Sequence, residues 1–131
     1  MPSFTHVALH LSDVPGARDF LGKYCGLSEV PRPGGSEDVV WMSEPGRERE
    51  LVFVLIPGGA ERAPATRDYS HLGFAVSSRE EVDALAAAAE AEGCLMWPPR
   101  EDPFPVGYYC GLRGPGGFVV ELSFGQPLGE G

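Results

Sequence analysis

The sequence predicts an α+β fold of two tandem βαβββ modules, a curved mixed sheet around a cleft with helices on its outer face. Three observations carry that expectation. Phe4-Thr5-His6-Val7-Ala8-Leu9-His10-Leu11-Ser12 is answered by Tyr69-Ser70-His71-Leu72-Gly73-Phe74-Ala75-Val76-Ser77. Each copy sets an aromatic residue, a hydroxyl residue and a histidine before an alternation of large and small residues at the period of a strand. At the same offset of 65 residues, Ala17, Phe20, Leu21 and Tyr24 fall on Val82, Leu85, Ala86 and Ala89, and both sets have the i, i+3, i+4, i+7 spacing of a helix face. Short apolar runs separated by turn residues then follow each helix, the pattern of an antiparallel meander.

Taken in order, the first strand spans Phe4 to Leu11 and sends Val7, Leu9 and Leu11 toward the helix, leaving His6, Ala8 and His10 on the other face. Asp13 caps a helix from Pro15 to Tyr24, and Gly26 ends it. Short strands are expected around Glu29, at Val39 to Met42 and at Leu51 to Ile56, with Pro31-Arg32-Pro33-Gly34-Gly35 as the loop between the first two. In the second module Leu72, Phe74 and Val76 face the helix and His71, Gly73 and Ala75 the cleft. Ser78-Arg79-Glu80-Glu81 is a capping box, the alanine-rich run to Glu92 is the helix, and Gly93 is its left-handed stop. Strands at Leu95 to Trp97, Tyr108 to Leu112 and Phe118 to Phe124 complete the module, with Pro98 to Pro105 as a loop and Gly114-Pro115-Gly116-Gly117 as a hairpin turn. A chain of 131 residues suits one domain, organised as module 1 over residues 1–57, a linker over 58–68 and module 2 over 69–131.

The net charge of −9 and the isoelectric point near 4.7 argue against a nucleic-acid binder, whose footprint is basic, and leave a small molecule as the expected partner. No apolar run approaches the roughly 20 residues that cross a bilayer, and the N-terminus has no signal-peptide pattern, so a soluble cytoplasmic protein is expected. Cys25, Cys94 and Cys110 are odd in number and have no CxxC spacing, which reads as three reduced thiols.

The histidines gain meaning from the duplication, because related modules pack about a pseudo-twofold axis that can bring His6 and His71 face to face. His10 shares a face with His6 but lies roughly 13 Å along the strand at about 3.3 Å per residue, too far for a common small site. The last strand, Phe118-Val119-Val120-Glu121-Leu122-Ser123-Phe124, puts one carboxylate in an apolar run, a placement that asks for a cation. Trp41, Trp97, Phe104, Tyr108 and Tyr109 lie on or beside the meander strands and suit an aromatic or apolar substrate, and Arg100 and Arg67 could hold an anionic group.

Together, the paired modules, the histidine opening each first strand, the final Glu121 and the run Tyr108 to Gly117 before the last strand resemble the vicinal oxygen chelate superfamily. That superfamily includes glyoxalase I, methylmalonyl-CoA epimerase, extradiol dioxygenases, fosfomycin-resistance enzymes and bleomycin-binding proteins. The resemblance implies a divalent metal, Fe, Zn, Ni, Co or Mn, held by His6, His71 and Glu121. It departs at a fourth family position, where Val54 aligns with Glu121 and offers no ligand, while Glu50 belongs to the charged Arg47-Glu48-Arg49-Glu50 run. Two imidazoles and a carboxylate leave positions open for two substrate oxygens. The implied activity is proton transfer of the glyoxalase type, a lyase or isomerase reaction, with Glu121, Tyr108 or Tyr109 as catalytic groups and Trp41, Trp97, Phe104 and Arg100 as substrate contacts. The alternatives are an extradiol dioxygenase and a bleomycin-resistance-like binding protein that needs no metal. A homodimer is expected, its modules paired within or between chains.

Overall fold

The computed structural model describes residues 1–31, 38–65 and 67–128. The chain divides into two compact units, Met1–Arg62 and Ala63–Gly131. Each unit is one strand, one helix and three strands. Unit 1 comprises β1 (His6–Leu11), α1 (Val14–Cys25), β2 (Ser28–Glu29), β3 (Val40–Ser43) and β4 (Val52–Pro57). Unit 2 comprises β5 (Leu72–Ala75), α2 (Arg79–Ala91), β6 (Leu95–Asp102), β7 (Gly107–Arg113) and β8 (Val119–Phe124). The loop expected at Pro31 to Gly35 lies outside the described residues beyond Pro31.

The two sheets repeat one topology, β1-β4-β3-β2 and β5-β8-β7-β6, with the first strand parallel to the last and the remaining pairs antiparallel. The duplication persists at the level of register. Ala8 pairs with Val54 in unit 1 and Gly73 with Glu121 in unit 2, and Ala8 and Gly73 are separated by the repeat offset. Val54 is therefore the register equivalent of Glu121. Glu50 precedes β4 and is bound by Arg47 at 3.3 Å.

Helix boundaries follow the expected chemistry. Asp13 accepts the Gly16 N–H at 2.9 Å, and Gly26 closes α1 in the left-handed region, at φ 68°. Ser78 accepts the Glu81 N–H at 3.1 Å, while the Glu81 carboxylate reaches back to the N–H of Ser77 rather than of Ser78. Each helix covers one face of its own sheet. In unit 2 the buried stripe Val82, Ala86 and Ala89 meets Cys110, Leu112, Val120 and Leu122, all but excluded from solvent. The small residues of α2 allow close approach to the sheet.

The Pro98 to Pro105 loop is the main correction to the sequence reading. β6 continues through Pro98 and Pro99 to Asp102, and only the following turn, with a cis Phe104–Pro105 bond, is irregular. Prolines are tolerated there because β6 is the sheet edge and its register shifts between Leu95 and Trp97 and again between Trp97 and Arg100. Among the described residues no helix is long and apolar enough to cross a membrane.

Leu122 is fully buried between sheet and α2. Leu122→Ala is expected to destabilise unit 2 by about 2–5 kcal/mol, read as a shift of the urea midpoint; a shift worth less than about 1 kcal/mol would show that the helix–sheet core is not the stabilising layer.

Candidate metal and substrate site

Glu121 sits on an interior strand, 7% exposed, between two glycines: Gly73 of β5 on one side and Gly111 of β7 on the other. Trp97 of β6 pairs with Gly111, and its indole lies where a Cβ of residue 111 would be. A Cβ at Gly73 would sit 3.8 Å from Glu121 Oε2. The row Gly73, Glu121, Gly111, Trp97 thus leaves open space around one carboxylate and fills it from the side with an aromatic ring.

His71 lies just before β5, and its imidazole meets Trp97 edge-on, centroids 5.7 Å apart. Nδ1 is 2.6 Å from the Tyr69 carbonyl. A carbonyl only accepts, so Nδ1 carries the proton, and in the neutral ring Nε2 is left with a bare lone pair. That nitrogen faces Glu121 Oε2 at 3.5 Å. Two ligands bound at about 2.0–2.2 Å to one tetrahedral cation stand about 3.4 Å apart, so the pair fits a divalent metal. The His71–carbonyl hydrogen bond is the outer support that ligating imidazoles ordinarily have. Gln126 donates to Glu121 Oε2 at 3.3 Å, a further contact that orients the carboxylate.

The pair opens into a cleft of about 750 Å³ within unit 2, walled by Tyr69, Phe74, Trp97, Arg100, Asp102 and Tyr109. Asp102 Oδ1 accepts both Arg100 Nε and Nη2, at 3.1 and 2.8 Å, and Oδ2 accepts the Tyr109 hydroxyl at 2.8 Å. The Tyr109 bond, ahead of Arg100, holds the Asp102 carboxyl below its ordinary range. Burial, then the bond to Asp102, raises the Tyr109 phenol.

Of the residues expected from sequence, His71, Glu121, Trp97, Arg100 and Tyr109 meet in this cleft. Tyr108 does not line it. It alternates to the helix side of β7, where its hydroxyl donates to Asp83 of α2 and Arg79 stacks on its ring at 4.1 Å, and the Asp83 bond raises its phenol. Phe104, 83% exposed on the β6–β7 turn, is also absent from the lining. Trp41 and His6 belong to unit 1. Trp41 pairs with Val54, and His6, exposed at the start of β1, has its Nδ1 2.9 Å from the Thr5 hydroxyl. Among the described residues no three His, Cys, Asp or Glu side chains form a single metal-binding group. Gly73 was expected on the cleft face, whereas Asp102, Gln126 and Gly111 were not singled out from the sequence as site residues. Glycine inside a strand pattern is the signal that marks Gly111. Burial pushes the Cys25 thiol up to about 12 and the Cys110 thiol to about 11, away from the reactive thiolate form.

The sequence model of the Glyoxalase/Bleomycin resistance protein/Dioxygenase superfamily matches residues 3–122, and the chain belongs to that superfamily. It is 54% identical to uncharacterized protein PA2024 of Pseudomonas aeruginosa over 99% of this chain and 94% of that protein. It resembles a possible glyoxalase from Bacillus cereus with a TM-score of 0.68 and 26% identity, over 94% of this chain and 99% of that one. It also shares its fold with the fosfomycin resistance protein FosX of Listeria monocytogenes. The structure of a FosX mutant with Mn(II) and 1S,2S-dihydroxypropylphosphonic acid gives a TM-score of 0.74 at 19% identity, over 97% and 95% of the chains.

The hydrogen bond to Tyr69 fixes the His71 tautomer. A long-range ¹H–¹⁵N spectrum of the metal-free protein is expected to show Nδ1 protonated and Nε2 bare; the reverse tautomer would remove the ligand-ready nitrogen.

Proposed function

We propose that the protein is a divalent-metal-dependent enzyme of the glyoxalase type that binds a small substrate through two neighbouring oxygens and moves a proton on it. The observation that carries this reading is His71 Nε2 set 3.5 Å from the buried Glu121 carboxylate, with Nδ1 engaged by the Tyr69 carbonyl. His71 and Glu121 would hold the metal from unit 2 and His6 from unit 1, in a homodimer whose modules pair within or between chains. When bound, the metal supplies Lewis acidity toward the substrate oxygens. To take the proton Glu121 would leave the metal, and Gln126, which donates to its Oε2, would orient it. Tyr109 and Trp97 shape the wall against which the substrate lies. Tyr109 is not a ready base, because its phenol is raised and its proton is held by Asp102.

Ring-cleaving oxygenation is the second reading, and the register supports it: Val54 occupies the equivalent of Glu121, leaving the two-histidine, one-carboxylate set of non-haem iron oxygenases. Against it, among the described residues His71 is the one histidine lining the unit 2 cleft, which gives no second imidazole there for acid–base work.

Protein purified without added metal and then loaded is expected to bind one divalent ion per chain by elemental analysis. His71→Ala should weaken that binding by more than about 100-fold, and a variant that binds as tightly as the wild type would contradict the ligand assignment. Zn(II), Ni(II) and anaerobic Fe(II) forms, offered a hemithioacetal without air or a catechol with it, separate the two reactions. Turnover of the hemithioacetal is expected, and oxygen uptake with a yellow ring-fission product alone would reverse the order. Light scattering at micromolar concentration is expected to give a dimer rather than a 14.0 kDa monomer.

A further inference from the structure

We propose that Tyr109 is a specificity-determining residue of the unit 2 cleft: it presents a hydrogen-bond acceptor to the ligand, so that the site selects an apolar or aromatic molecule carrying a hydroxyl or N–H donor. The inference rests on the reading of this cleft as the ligand site and goes beyond the reaction proposed there.

The direction of one proton carries it. Asp102 Oδ1 is taken by two N–H groups of Arg100, and Oδ2 is taken by the Tyr109 hydroxyl at 2.8 Å. An ionised carboxylate only accepts, and a phenol has a single proton to give. With that proton on Asp102, Tyr109 offers the ligand a lone pair and no donor. Both residues line the cleft, so this hydrogen bond lies in its wall. Arg100 fixes Asp102 in turn, and with its own charge matched by that carboxylate it is a poor anchor for an anionic ligand. Trp97, Tyr69 and Phe74 supply the apolar surface, and about 750 Å³ is ample for a one- or two-ring molecule. A ligand offering only an acceptor to Tyr109 would set lone pair against lone pair and leave a desolvated group unpaired, the strongest form of discrimination a small pocket has.

The polarity can be reversed without changing the shape. In Asp102→Asn the amide oxygen stays with the Arg100 donors and the amide N–H₂ turns to Tyr109, whose proton is then released toward the cleft. Tyr109→Phe removes the polar group altogether.

The test is a protein-detected NMR titration of the full, metal-free chain with three ring probes of similar size: indole, benzofuran and quinoline. For the wild type, indole is expected to bind roughly 3- to 10-fold more tightly than benzofuran or quinoline, with shifts at Trp97 and Tyr109. Tyr109→Phe should abolish the difference, and Asp102→Asn should shift the preference to quinoline. A wild type without preference for indole, a preference that survives Tyr109→Phe or is unaltered by Asp102→Asn, or the absence of cleft shifts with any probe would each overturn the proposal. Metal uptake, measured separately on the same variants, reports on the metal assignment. Its failure would leave the probe ranking unchanged.

Discussion

One buried carboxylate organises unit 2. Glu121 lies on an interior strand, where an acid without partners is costly, and the surrounding residues answer that cost. Glycine on both sides leaves space for the side chain, His71 and Gln126 approach one of its oxygens, and Trp97 lies over Gly111 and against the His71 ring. A side chain at Gly73 would enter the space beside the carboxylate, and one at Gly111 would collide with the Trp97 indole. The opposite face of the same strand is wholly apolar, with Val120 and Leu122 against the helix side. The two-residue period of β8 thus separates a packed apolar face from the face that lines the cleft.

The cleft has two chemically distinct parts. His71 and Glu121, the proposed metal ligands, face each other at 3.5 Å, with His71 Nδ1 held by a backbone carbonyl. Arg100 and Tyr109 both donate to Asp102, on opposite oxygens of its carboxylate, within the wall of the cleft. Neither part depends on the outer cluster of Tyr108, Asp83, Arg79 and Glu101, which ties α2 to the sheet from the other side.

Much of this was legible in the sequence because it follows from periodicity. The duplicated strand and helix patterns gave the βαβββ order, Asp13, Ser78, Gly26 and Gly93 gave the helix limits, and the lone acid in the last strand gave Glu121. The alignment of Val54 with Glu121 survives in the strand register. What was not legible depends on register and side-chain direction. Pro98 and Pro99 read as loop because nothing local announces an irregular edge strand. Adjacent tyrosines look equivalent in sequence, yet Tyr108 and Tyr109 necessarily face opposite sides of β7 and have different partners. Asp102 and Gln126 become site residues only through contacts across the fold with Tyr109 and Glu121.

The proposed metal ligands are His6, His71 and Glu121. X-ray absorption of the zinc-loaded protein tests that assignment most directly, because rigid imidazole rings give a multiple-scattering signature that can be counted. Two imidazoles with oxygen ligands at about 2.0–2.2 Å, falling to one in His71→Ala and to one in His6→Ala, is the expected result. A shell of oxygen ligands alone, or one left unchanged by either substitution, would contradict it.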